Sequence, residues 1–332
     1  MTEKITVLGS GSWATALVKI VLDNEQSKEV CWWVRNPQKC EYIKVNKHNP
    51  DYLSAVSFDK SNLHVSSDIA ECVESSDIVI LAIPSAFVDD ALSPLHKDSL
   101  KNKKVISAVK GLIPETSEIL GDYFSSKWQC QSDNIGVITG PCHAEEVALE
   151  KLSYLTVGSE NQELAQRISH LLNGRFIKTT TTDDIYGTEY SAVLKNIYAI
   201  AAGICHGLRF GDNFQAVLVS NAIREIKRFI EVVHPIQRDI DDSAYLGDLI
   251  VTAYSQFSRN RTFGNMLGKG YSSKSAQLEM NMIAEGYYAV KTIHEMNEEY
   301  GIDMPIVDFV YDIVYNNHRA KLRVEPLLDL LN

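Results

Sequence analysis

Short runs of β-branched and aliphatic residues alternate with longer stretches of mixed polarity through the first half of the chain. Several of these runs are apolar at nearly every position, which is typical of strands that are covered on both faces. The segments between them have the length of helices. Strand and helix in alternation predict a parallel, doubly wound sheet. The predicted strands are residues 4–8, 29–34, 77–83, 104–109, 135–139, 154–157 and 176–180.

The pattern changes after residue 184, where the β-rich runs stop and long helical segments follow. We therefore predict an α/β protein with a doubly wound, mostly parallel sheet in a first domain, residues 1–184, and an all-helical second domain, residues 185–332. No linker rich in Gly, Ser or Pro separates the two, so we expect them to pack closely around a cleft. The predicted helices of the second domain are residues 189–203, 213–233, 245–257, 273–281, 285–300 and 305–316.

Composition narrows the class of protein. Of 332 residues, 45% are apolar and 23% charged, as in ordinary globular proteins. The 32 lysines and arginines against 43 aspartates and glutamates leave a net charge of −11, which argues against a nucleic-acid partner. The apolar runs are far shorter than the ~20 residues of a membrane-spanning helix, and the start lacks a secretory signal. Six cysteines without a Cys-x-x-Cys pair, and nine histidines without ligand spacing, indicate a cytoplasmic protein with reduced thiols and no metal site.

A glycine-rich turn follows the first predicted strand directly. Residues 9–14 read Gly-Ser-Gly-Ser-Trp-Ala, a G-x-G-x-x-A pattern, and open a helix that is predicted to run to about residue 23. In such a turn Gly9 makes the bend, Gly11 lets a pyrophosphate approach the backbone, and the helix N-terminus donates N–H groups to the phosphates. The pattern predicts a Rossmann-like dinucleotide site. A glycine turn without a ligand is the alternative.

The end of the second predicted strand bears on which dinucleotide binds. An acid there would bind the 2′-hydroxyl of NAD, but the chain has Arg35 in its place. A guanidinium suits a 2′-phosphate and also stacks on adenine, whereas a solvated arginine would have no ligand. We therefore expect NADP or NAD as the cofactor, with NADPH slightly favoured.

In sheets of this kind, ligands bind beyond the carboxyl ends of the strands. The residues after two further predicted strands are expected to lie at this edge. Lys110 follows the predicted strand 104–109, and would otherwise be an ordinary surface lysine. Residues 140–146 follow the predicted strand 135–139 and begin a helix. The N-terminus of that helix is expected to face the same edge.

The helical half contains one lysine in an apolar setting. Lys195 lies among alanines, valines, leucines and isoleucines that cover nearly every face of its helix, which indicates burial. Lysines are rarely buried unless they are paired or functional. Burial lowers a lysine pKa and a carboxylate partner raises it, so this ammonium group is a candidate for proton transfer. The alternative is a side chain that extends to water.

Three other charged clusters are candidates in the same half. Asp248 is a lone carboxylate in an apolar stretch, and it either works with a cation or caps a helix. Residues 258–261, Ser-Arg-Asn-Arg, stand between predicted helices and suit a phosphate or carboxylate clamp, or form a solvated basic loop. Glu285 begins a predicted helix, where an acid also interacts favourably with the helix dipole.

Taken together, these motifs resemble the soluble, bacterial type of NAD(P)-dependent glycerol-3-phosphate dehydrogenase over essentially the whole chain. The resemblance implies reversible reduction of dihydroxyacetone phosphate to sn-glycerol 3-phosphate by a nicotinamide hydride, supplying glycerophospholipid synthesis. Several motifs in one order are more specific than any one of them. The motifs are residues 9–17, 109–112, 140–141, 194–197, 210–213, 246–249, 258–261 and 285–287.

The resemblance also implies roles for single residues. Lys195 matches a catalytic lysine that exchanges a proton with the substrate oxygen, with Asp248 and Lys110 beside it. Arg259 and Asn260 match a clamp for the substrate phosphate. The positions matching cofactor contacts are Gly9, Gly11, Ser12, Trp13, Arg35, Lys110, Ala144, Arg259, Ile283 and Glu285. The positions matching substrate contacts are Lys110, Gly140, Cys142, Lys195, Asp248, Ser258, Arg259 and Asn260.

The chain departs from the family pattern at three positions. Cys142 stands where the family usually has serine or threonine. His206 and Arg209 stand where the family commonly has aspartate and glycine. We expect these departures to affect substrate affinity or effector control and not the class of reaction.

Two other functions fit the same architecture. One is reduction of a non-phosphorylated substrate, as in 3-hydroxyacid or ketopantoate reductases, which the clamp at residues 259–261 and the loop at residues 140–141 argue against. The other is dinucleotide sensing without catalysis, which Lys195, Asp248 and Arg259 argue against. A helical second domain of this size also leads us to expect a homodimer.

Overall fold

The computed structural model of the protein describes residues 3–24, 29–59, 61–280 and 284–331. The chain divides into two compact units, one made of Met1–Val109 with Glu118–Ile185 and one made of Lys110–Ser117 with Tyr186–Asn332. Residues 110–117, which the sequence analysis assigns to the first domain, therefore cluster with the helical unit. One reason is a hydrogen bond from the Asn196 side chain to the carbonyl oxygen of Lys110, which holds this segment against a helix.

Eight strands form the sheet of the first unit, β1 Lys4–Leu8, β2 Glu29–Trp33, β3 Leu63–Ser66, β4 Ile78–Leu81, β5 Lys104–Ser107, β6 Ile135–Thr139, β7 Ser153–Gly158 and β8 Ile177–Thr182. Their order is β3-β2-β1-β4-β5-β6-β7-β8. All neighbours are parallel except β6 and β7. The doubly wound, mostly parallel sheet is thus confirmed. The chain order reverses between β1 and β4, the position where such sheets bind ligands.

All seven predicted strands are present, although several begin or end one or two residues away from the predicted bounds. The sequence pattern misses β3. Only two of its four residues are buried, so it lacks the continuous apolar run of strands such as β4 and β6.

Helices cover the sheet of the first unit. The first of them begins at Ser12 and ends at Asp23, as predicted, and buries nine of its twelve residues. Because both faces of the sheet are covered, a central strand such as β4 is buried at all four positions. The helices are α1 Ser12–Asp23, α2 Pro37–Asn46, α3 Ile69–Glu74, α4 Val88–Leu92, α5 Leu120–Trp128, α6 Ala144–Ala148 and α7 Gln162–Leu172.

The second unit is helical, and after β8 the described part of the chain contains no further strand. Its helices are α8 Ile185–Gly207, α9 Asp212–Val233, α10 Asp248–Tyr254, α11 Arg259–Gly268, α12 Ser273–Glu279, α13 Glu285–Tyr300, α14 Pro305–Val314 and α15 Ala320–Leu328. The sequence pattern misses α11 and α15, because α11 has a polar first turn and two glycines and α15 contains Pro326. In the described chain no helix is both long enough and apolar enough to cross a membrane.

Glycines let α8 and α11 approach backbone to backbone. A Cβ atom at Gly264 of α11 would lie 2.0 Å from the carbonyl oxygen of Ile200 in α8. A Cβ atom at Gly203 of α8 would lie 2.1 Å from the carbonyl oxygen of Arg261 in α11. Larger side chains at these positions would separate the helices. The close contact places the first turn of α11 beside the middle of α8.

Candidate active site

Lys195 and Asp248 form a buried ion pair in the helical unit. Lys195, in the middle of α8, is 3% exposed, and Asp248 is 1% exposed. The Lys195 ammonium group contacts the Oδ1 atom of Asp248. The side chain of Lys195 therefore does not extend to water, and its charge is balanced by a carboxylate inside the protein.

A change of helix type positions Asp248. The helix predicted over residues 245–257 is divided into a π-helical turn, Ser243–Gly247, and α10, which Asp248 begins. Single π-helical turns of this kind often lie at functional sites. Asp248 thus stands at a helix start, and its carboxylate interacts with cations of other elements instead of capping its own helix.

Lys110 adds a second ammonium group to the pair. Its Nζ atom lies 3.8 Å from Oδ2 of Asp248, so one carboxylate faces two cations. The pKa of Lys195 is lowered to about 7, chiefly by burial; the charge of Asp248 opposes the fall, and the charge of Lys110 adds to it. An amine with a pKa near neutrality can both donate and accept a proton under physiological conditions.

Two asparagines connect the elements around this pair. Asn196 donates from Nδ2 to the carbonyl oxygen of Lys110 at 3.0 Å, and its Oδ1 accepts from Nδ2 of Asn260 at 2.9 Å. The Oδ1 atom of Asn260 accepts from the backbone N–H of Gly286 at 2.9 Å. Segment 110–117, α8, α11 and α13 are thereby tied together. Sequence reasoning missed this role of Asn196, whose only signal is a polar residue beside Lys195 in an apolar helix.

The first turn of α11 holds the residues expected to clamp a phosphate. Ser258 is the N-cap, and its hydroxyl accepts from the backbone N–H of Arg261 at 3.3 Å. Residues 258–261 are therefore a helix start and not a loop between helices. Asn260 is 8% exposed, and its amide oxygen and one of its N–H groups bond within the protein. This leaves at most one side-chain N–H of Asn260 for a substrate.

Glu285 begins α13 within the electrostatic reach of the same cations. Burial raises the pKa of its carboxyl group, and the positive charges of Arg259, Lys110 and Lys195 oppose this rise. Ile283, a predicted cofactor contact, lies outside the described residues. No group of three or more His, Cys, Asp or Glu side chains in the described chain is placed to hold a metal ion.

The glycine turn of the first unit has the features that a pyrophosphate requires. Gly9 has φ of +130°, and a Cβ atom there would lie 2.3 Å from the carbonyl oxygen of Ala82. Gly11 caps α1, and a Cβ atom there would meet nothing within 4 Å. The backbone of Gly11 is thus open to a ligand, next to the N–H groups of the first turn of α1. The residues present fit a dinucleotide pyrophosphate.

Side chains outside the fingerprint hold this turn in place. Trp32 donates from Nε1 to the carbonyl oxygen of Gly9 at 2.7 Å. Asn49 donates from Nδ2 to the carbonyl oxygen of Ser10 at 3.1 Å and to the hydroxyl of Thr15 at 2.8 Å. The sequence contains no signal for these contacts, because they join residues far apart in the chain.

Arg35 is exposed beyond the end of β2. It lines a cavity of about 440 Å³ together with Trp33, Ser67, Asp68 and Asp90. Asp68 uses its carboxylate to cap α3, by accepting from the backbone N–H groups of residues 70 and 71. Across the described chain, Arg35 takes part in no ion pair, so its guanidinium is available for an anionic group.

The remaining predicted contacts of the first unit lie at the start of α1 and after β6. Ser12 is buried, and Trp13 is partly buried against the apolar core. Gly140 has φ of +110°, which favours glycine, and Cys142 is buried in the core. Ala144, also buried, begins α6. The first unit therefore contains the predicted contacts at residues 9–13, 35 and 140–144, and the second unit contains Lys110, Lys195, Asp248, 258–260 and Glu285.

Family models match both halves of the chain. The model described as NAD-dependent glycerol-3-phosphate dehydrogenase N-terminus matches residues 4–165. The model described as NAD-dependent glycerol-3-phosphate dehydrogenase C-terminus matches residues 184–325. These matches confirm the resemblance that the ordered motifs indicate.

Individual relatives are similar over nearly the full length. A glycerol-3-phosphate dehydrogenase [NAD(P)+] of Oceanobacillus iheyensis is 34% identical over 98% of this chain and 94% of its own. One of Bacillus subtilis is 33% identical over 98% of this chain and 94% of its own. The crystal structure of glycerol-3-phosphate dehydrogenase from Coxiella burnetii has a TM-score of 0.89 at 27% identity, over 98% of this chain and 99% of its own. The expected fold, the enzyme class and the use of NAD or NADP are confirmed by these likenesses.

Proposed function

The chain belongs to the NAD-dependent glycerol-3-phosphate dehydrogenase family, and we propose that it reversibly reduces dihydroxyacetone phosphate to sn-glycerol 3-phosphate. The observation that carries this proposal is the buried ion pair of Lys195 and Asp248 with Lys110 beside it. Carbonyl reduction needs a hydride donor and a proton donor held in one orientation. The nicotinamide cofactor supplies the hydride when it is bound.

Lys195 is the group that we assign to proton transfer. As an ammonium it donates a proton to the oxygen that becomes the alcohol, and as a neutral amine it takes that proton back in the reverse direction. Asp248 keeps the ammonium charged and oriented through their ion pair. Lys110 adds positive charge, which stabilises the developing alkoxide.

The substrate phosphate is assigned to the first turn of α11. The first N–H groups of a helix have no intrahelical acceptor, and the helix dipole favours an anion there. The guanidinium of Arg259 adds a charge-assisted donor, and Asn260 contributes its remaining N–H group. Ser258 supports the site as the N-cap. Gly140 and Cys142 of the first unit are proposed as further substrate contacts.

The cofactor is assigned chiefly to the first unit. Gly9, Gly11, Ser12 and Trp13 would hold the pyrophosphate at the start of α1, and Ala144 is a further proposed contact. From the helical unit, Lys110, Arg259 and Glu285 are proposed contacts as well. Arg35 would bind a 2′-phosphate, and we propose a modest preference for NADPH on that basis.

We place the reaction in the cytoplasm, where sn-glycerol 3-phosphate feeds glycerophospholipid synthesis, and propose a homodimer as the working form. The reduced state of the six cysteines fits this compartment. Sedimentation equilibrium with the purified chain tests the dimer directly, since a monomer mass at all concentrations would refute it.

Replacement of Lys195 tests the proposed function. A Lys195→Ala variant is expected to bind NADPH as the parent protein does, because the cofactor contacts lie elsewhere, and to lose turnover by about 10²–10⁴-fold. NADPH oxidation with dihydroxyacetone phosphate measures turnover, and NADPH fluorescence measures binding. Lys227→Ala is the matched control, since this lysine lies on α9 with its side chain 55% exposed. Near-parental turnover in Lys195→Ala would refute the assignment.

Substrate competition separates the proposed function from the alternatives. We expect NADPH oxidation with dihydroxyacetone phosphate and little with non-phosphorylated ketoacids, because Arg259 and the start of α11 suit a phosphate. The reverse order of rates would indicate a ketoacid reductase. Binding of the dinucleotide without oxidation by any of these substrates would indicate a sensor.

A further inference from the structure

Two buried cysteines from distant parts of the chain face each other in the first unit. Cys31 is the central residue of β2, and Cys72 lies in α3, which packs on the sheet. Their sulfur atoms are 2.8 Å apart, and the residues are 8% and 0% exposed. Both are thiols in this structure. Neither belongs to a motif that the proposed function uses.

The contact makes the two thiols chemically unequal. The hydrogen bond between them lowers the pKa of the Cys31 thiol and raises the pKa of the Cys72 thiol, although burial raises both. The neighbouring hydroxyl of Thr6 also lowers the pKa of Cys31, and the Glu71 carboxylate opposes this. Cys31 is therefore the better nucleophile, and Cys72 holds the proton.

Three other cysteines show only raised pKa values. Burial alone raises the pKa of Cys130 and of Cys205 to about 12, and burial is the main cause of the raised pKa of Cys40. A raised pKa keeps a thiol protonated and unreactive. Among these five thiols, oxidation is thus expected to begin at Cys31. Because Cys31 is almost fully buried, the oxidant must be as small as a hydroperoxide.

We propose that Cys31 and Cys72 form a peroxide-reactive dithiol that closes to an intramolecular disulfide between β2 and α3. The thiolate of Cys31 attacks one oxygen of hydrogen peroxide, the O–O bond breaks, and the leaving hydroxide takes up a proton. The resulting Cys31 sulfenic acid is attacked by the sulfur of Cys72, which forms the S–S bond and releases water. Two thiols and one hydrogen peroxide give one disulfide and two water molecules.

Hydrogen bonds already join the elements that carry the two cysteines. Beyond Cys31, the backbone N–H of Val34 donates to the carbonyl oxygen of Ser66 at 2.9 Å, and Nε1 of Trp33 donates to that of Ser67 at 3.1 Å. The end of β2 and the segment leading into α3 are already joined by these bonds. A disulfide adds a covalent link between elements that are in contact, so we expect the fold and cofactor binding to persist after oxidation.

Mass spectrometry of the full-length protein tests the proposal. After treatment with equimolar hydrogen peroxide, the intact mass should fall by two hydrogen atoms, and a non-reducing digest should contain a peptide joining Cys31 to Cys72. A reductant such as dithiothreitol should restore the original mass. The oxidised protein should also melt several degrees higher, because the bond restrains the unfolded chain. NADPH binding, measured by fluorescence, should change by less than about twofold.

Single substitutions separate this dithiol from general thiol oxidation. After peroxide treatment, Cys72→Ser should carry a sulfenic acid on Cys31, seen as a gain of one oxygen atom and labelled by dimedone once the protein is denatured. In Cys31→Ser, Cys72 should stay unlabelled under the same conditions. Cys40→Ser, at a buried cysteine of the same unit, should form the disulfide as the parent does. If a serine is not tolerated at either buried site, the corresponding alanine variants serve instead.

Three results would overturn the proposal. The first is a peptide that joins Cys31 or Cys72 to a different cysteine. The second is accumulation of sulfinic acid on Cys31 while Cys72 stays a free thiol. The third is an unchanged mass at a peroxide concentration that labels Cys31 in the Cys72→Ser variant.

Discussion

At the scale of single residues, the proposed proton chemistry depends on one carboxylate shared by two ammonium groups. Asp248 faces both Lys195 and Lys110, and all three lie in the helical unit. Burial away from water destabilises the ammonium form of Lys195, and the Asp248 carboxylate stabilises that form in part. A pair of this kind is costly to break, because either partner alone would leave an uncompensated buried charge.

The pH dependence of the two reaction directions follows from this pair. Because the pKa of Lys195 is lowered to about 7, the ammonium form needed for reduction is lost as pH rises through that value. We therefore expect kcat/KM for reduction to fall above about pH 7, and kcat/KM for glycerol 3-phosphate oxidation to fall below it. Initial rates in both directions between pH 5.5 and 9.5 measure this. Well away from the pKa, kcat/KM should change on the order of tenfold per pH unit.

The pH profile of an Asp248→Asn variant tests whether this carboxylate sets the pKa of Lys195. Without the carboxylate, the pKa of Lys195 should be lower still, so the fall in reduction rate should move to lower pH. Parallel profiles in the two directions, or a profile that Asp248→Asn leaves in place, would contradict the role of Lys195.

Arg35 leads to a prediction on cofactor choice. Replacement by serine removes the cation that would face a 2′-phosphate, so the Kd for NADPH should rise about tenfold while that for NADH changes little. Fluorescence titration of both dinucleotides measures this. Arg175→Ser serves as the control at an arginine near β8. An equal loss for NADH and NADPH would mean that Arg35 does not distinguish the two.

At the scale of secondary-structure elements, α8 organises the helical unit. It carries Lys195 and Asn196, and it packs without intervening side chains against α11 through Gly203 and Gly264. The start of α13 approaches it equally closely, because a Cβ atom at Gly286 would lie 2.6 Å from the carbonyl oxygen of Asn196. Both α11 and α13 therefore approach the backbone of α8 directly, along the stretch that follows Lys195.

Gly264→Ala is expected to disturb this arrangement strongly. The added methyl group would overlap the carbonyl oxygen of Ile200, so α11 must move away from α8. We expect a loss of about 1–3 kcal/mol or more in the free energy of unfolding, with reduced turnover as Arg259 shifts. Urea denaturation and the NADPH oxidation rate measure both effects. Gly174→Ala is the control, since a Cβ atom there meets nothing within 4 Å, and comparable losses in the two variants would refute the packing argument.

The start of α14 depends on a carboxylate from another helix. Glu225 of α9 is fully buried, and its Oε1 atom accepts from the backbone N–H of Ile306 at 2.7 Å. Burial raises the pKa of this carboxyl group to about 8, although the N–H of Ile306 and the charge of Arg228 oppose the rise. The folded protein therefore binds a proton that the unfolded chain releases at a lower pH.

This difference predicts how stability changes with pH. Between the unfolded pKa of about 4.5 and the folded value near 8, only the folded state holds the proton. The free energy of unfolding should therefore fall as pH rises through this window, by up to about 1.4 kcal/mol per pH unit, and level off above it. Glu225→Gln should flatten the curve while retaining the oxygen that accepts from Ile306. Glu231→Gln, on the exposed side of α9, should leave the pH dependence unchanged.

At the scale of the whole molecule, net charge and ligand choice are separate properties. The chain carries a net charge of −11, yet both proposed ligands are phosphorylated. Each unit supplies its own local positive field, from Arg35 and the start of α1 in one and from Lys110, Arg259 and the start of α11 in the other. Overall charge therefore argues against nucleic acid and says little about small anions.

Several structural features of the protein could be predicted from the residue pattern within short segments. The central strands were recognisable because a strand covered on both faces must be apolar along its length. The dinucleotide turn was recognisable because its geometry needs glycine at fixed spacing. Burial of Lys195 was also predicted, since apolar residues cover nearly every face of its helix. In each case the physical requirement acts within one short segment of the chain.

Other features were decided only by the tertiary structure. The contact of Lys195 with Asp248, the bonds of Asn196 to Asn260, and the approach of Cys31 to Cys72 all join separate segments. The two glycines of α11 disfavour a helix, and close packing on α8 compensates for their low helix propensity. Such contacts leave no periodic signal in the sequence, since they depend on how the elements pack and not on the residues beside them.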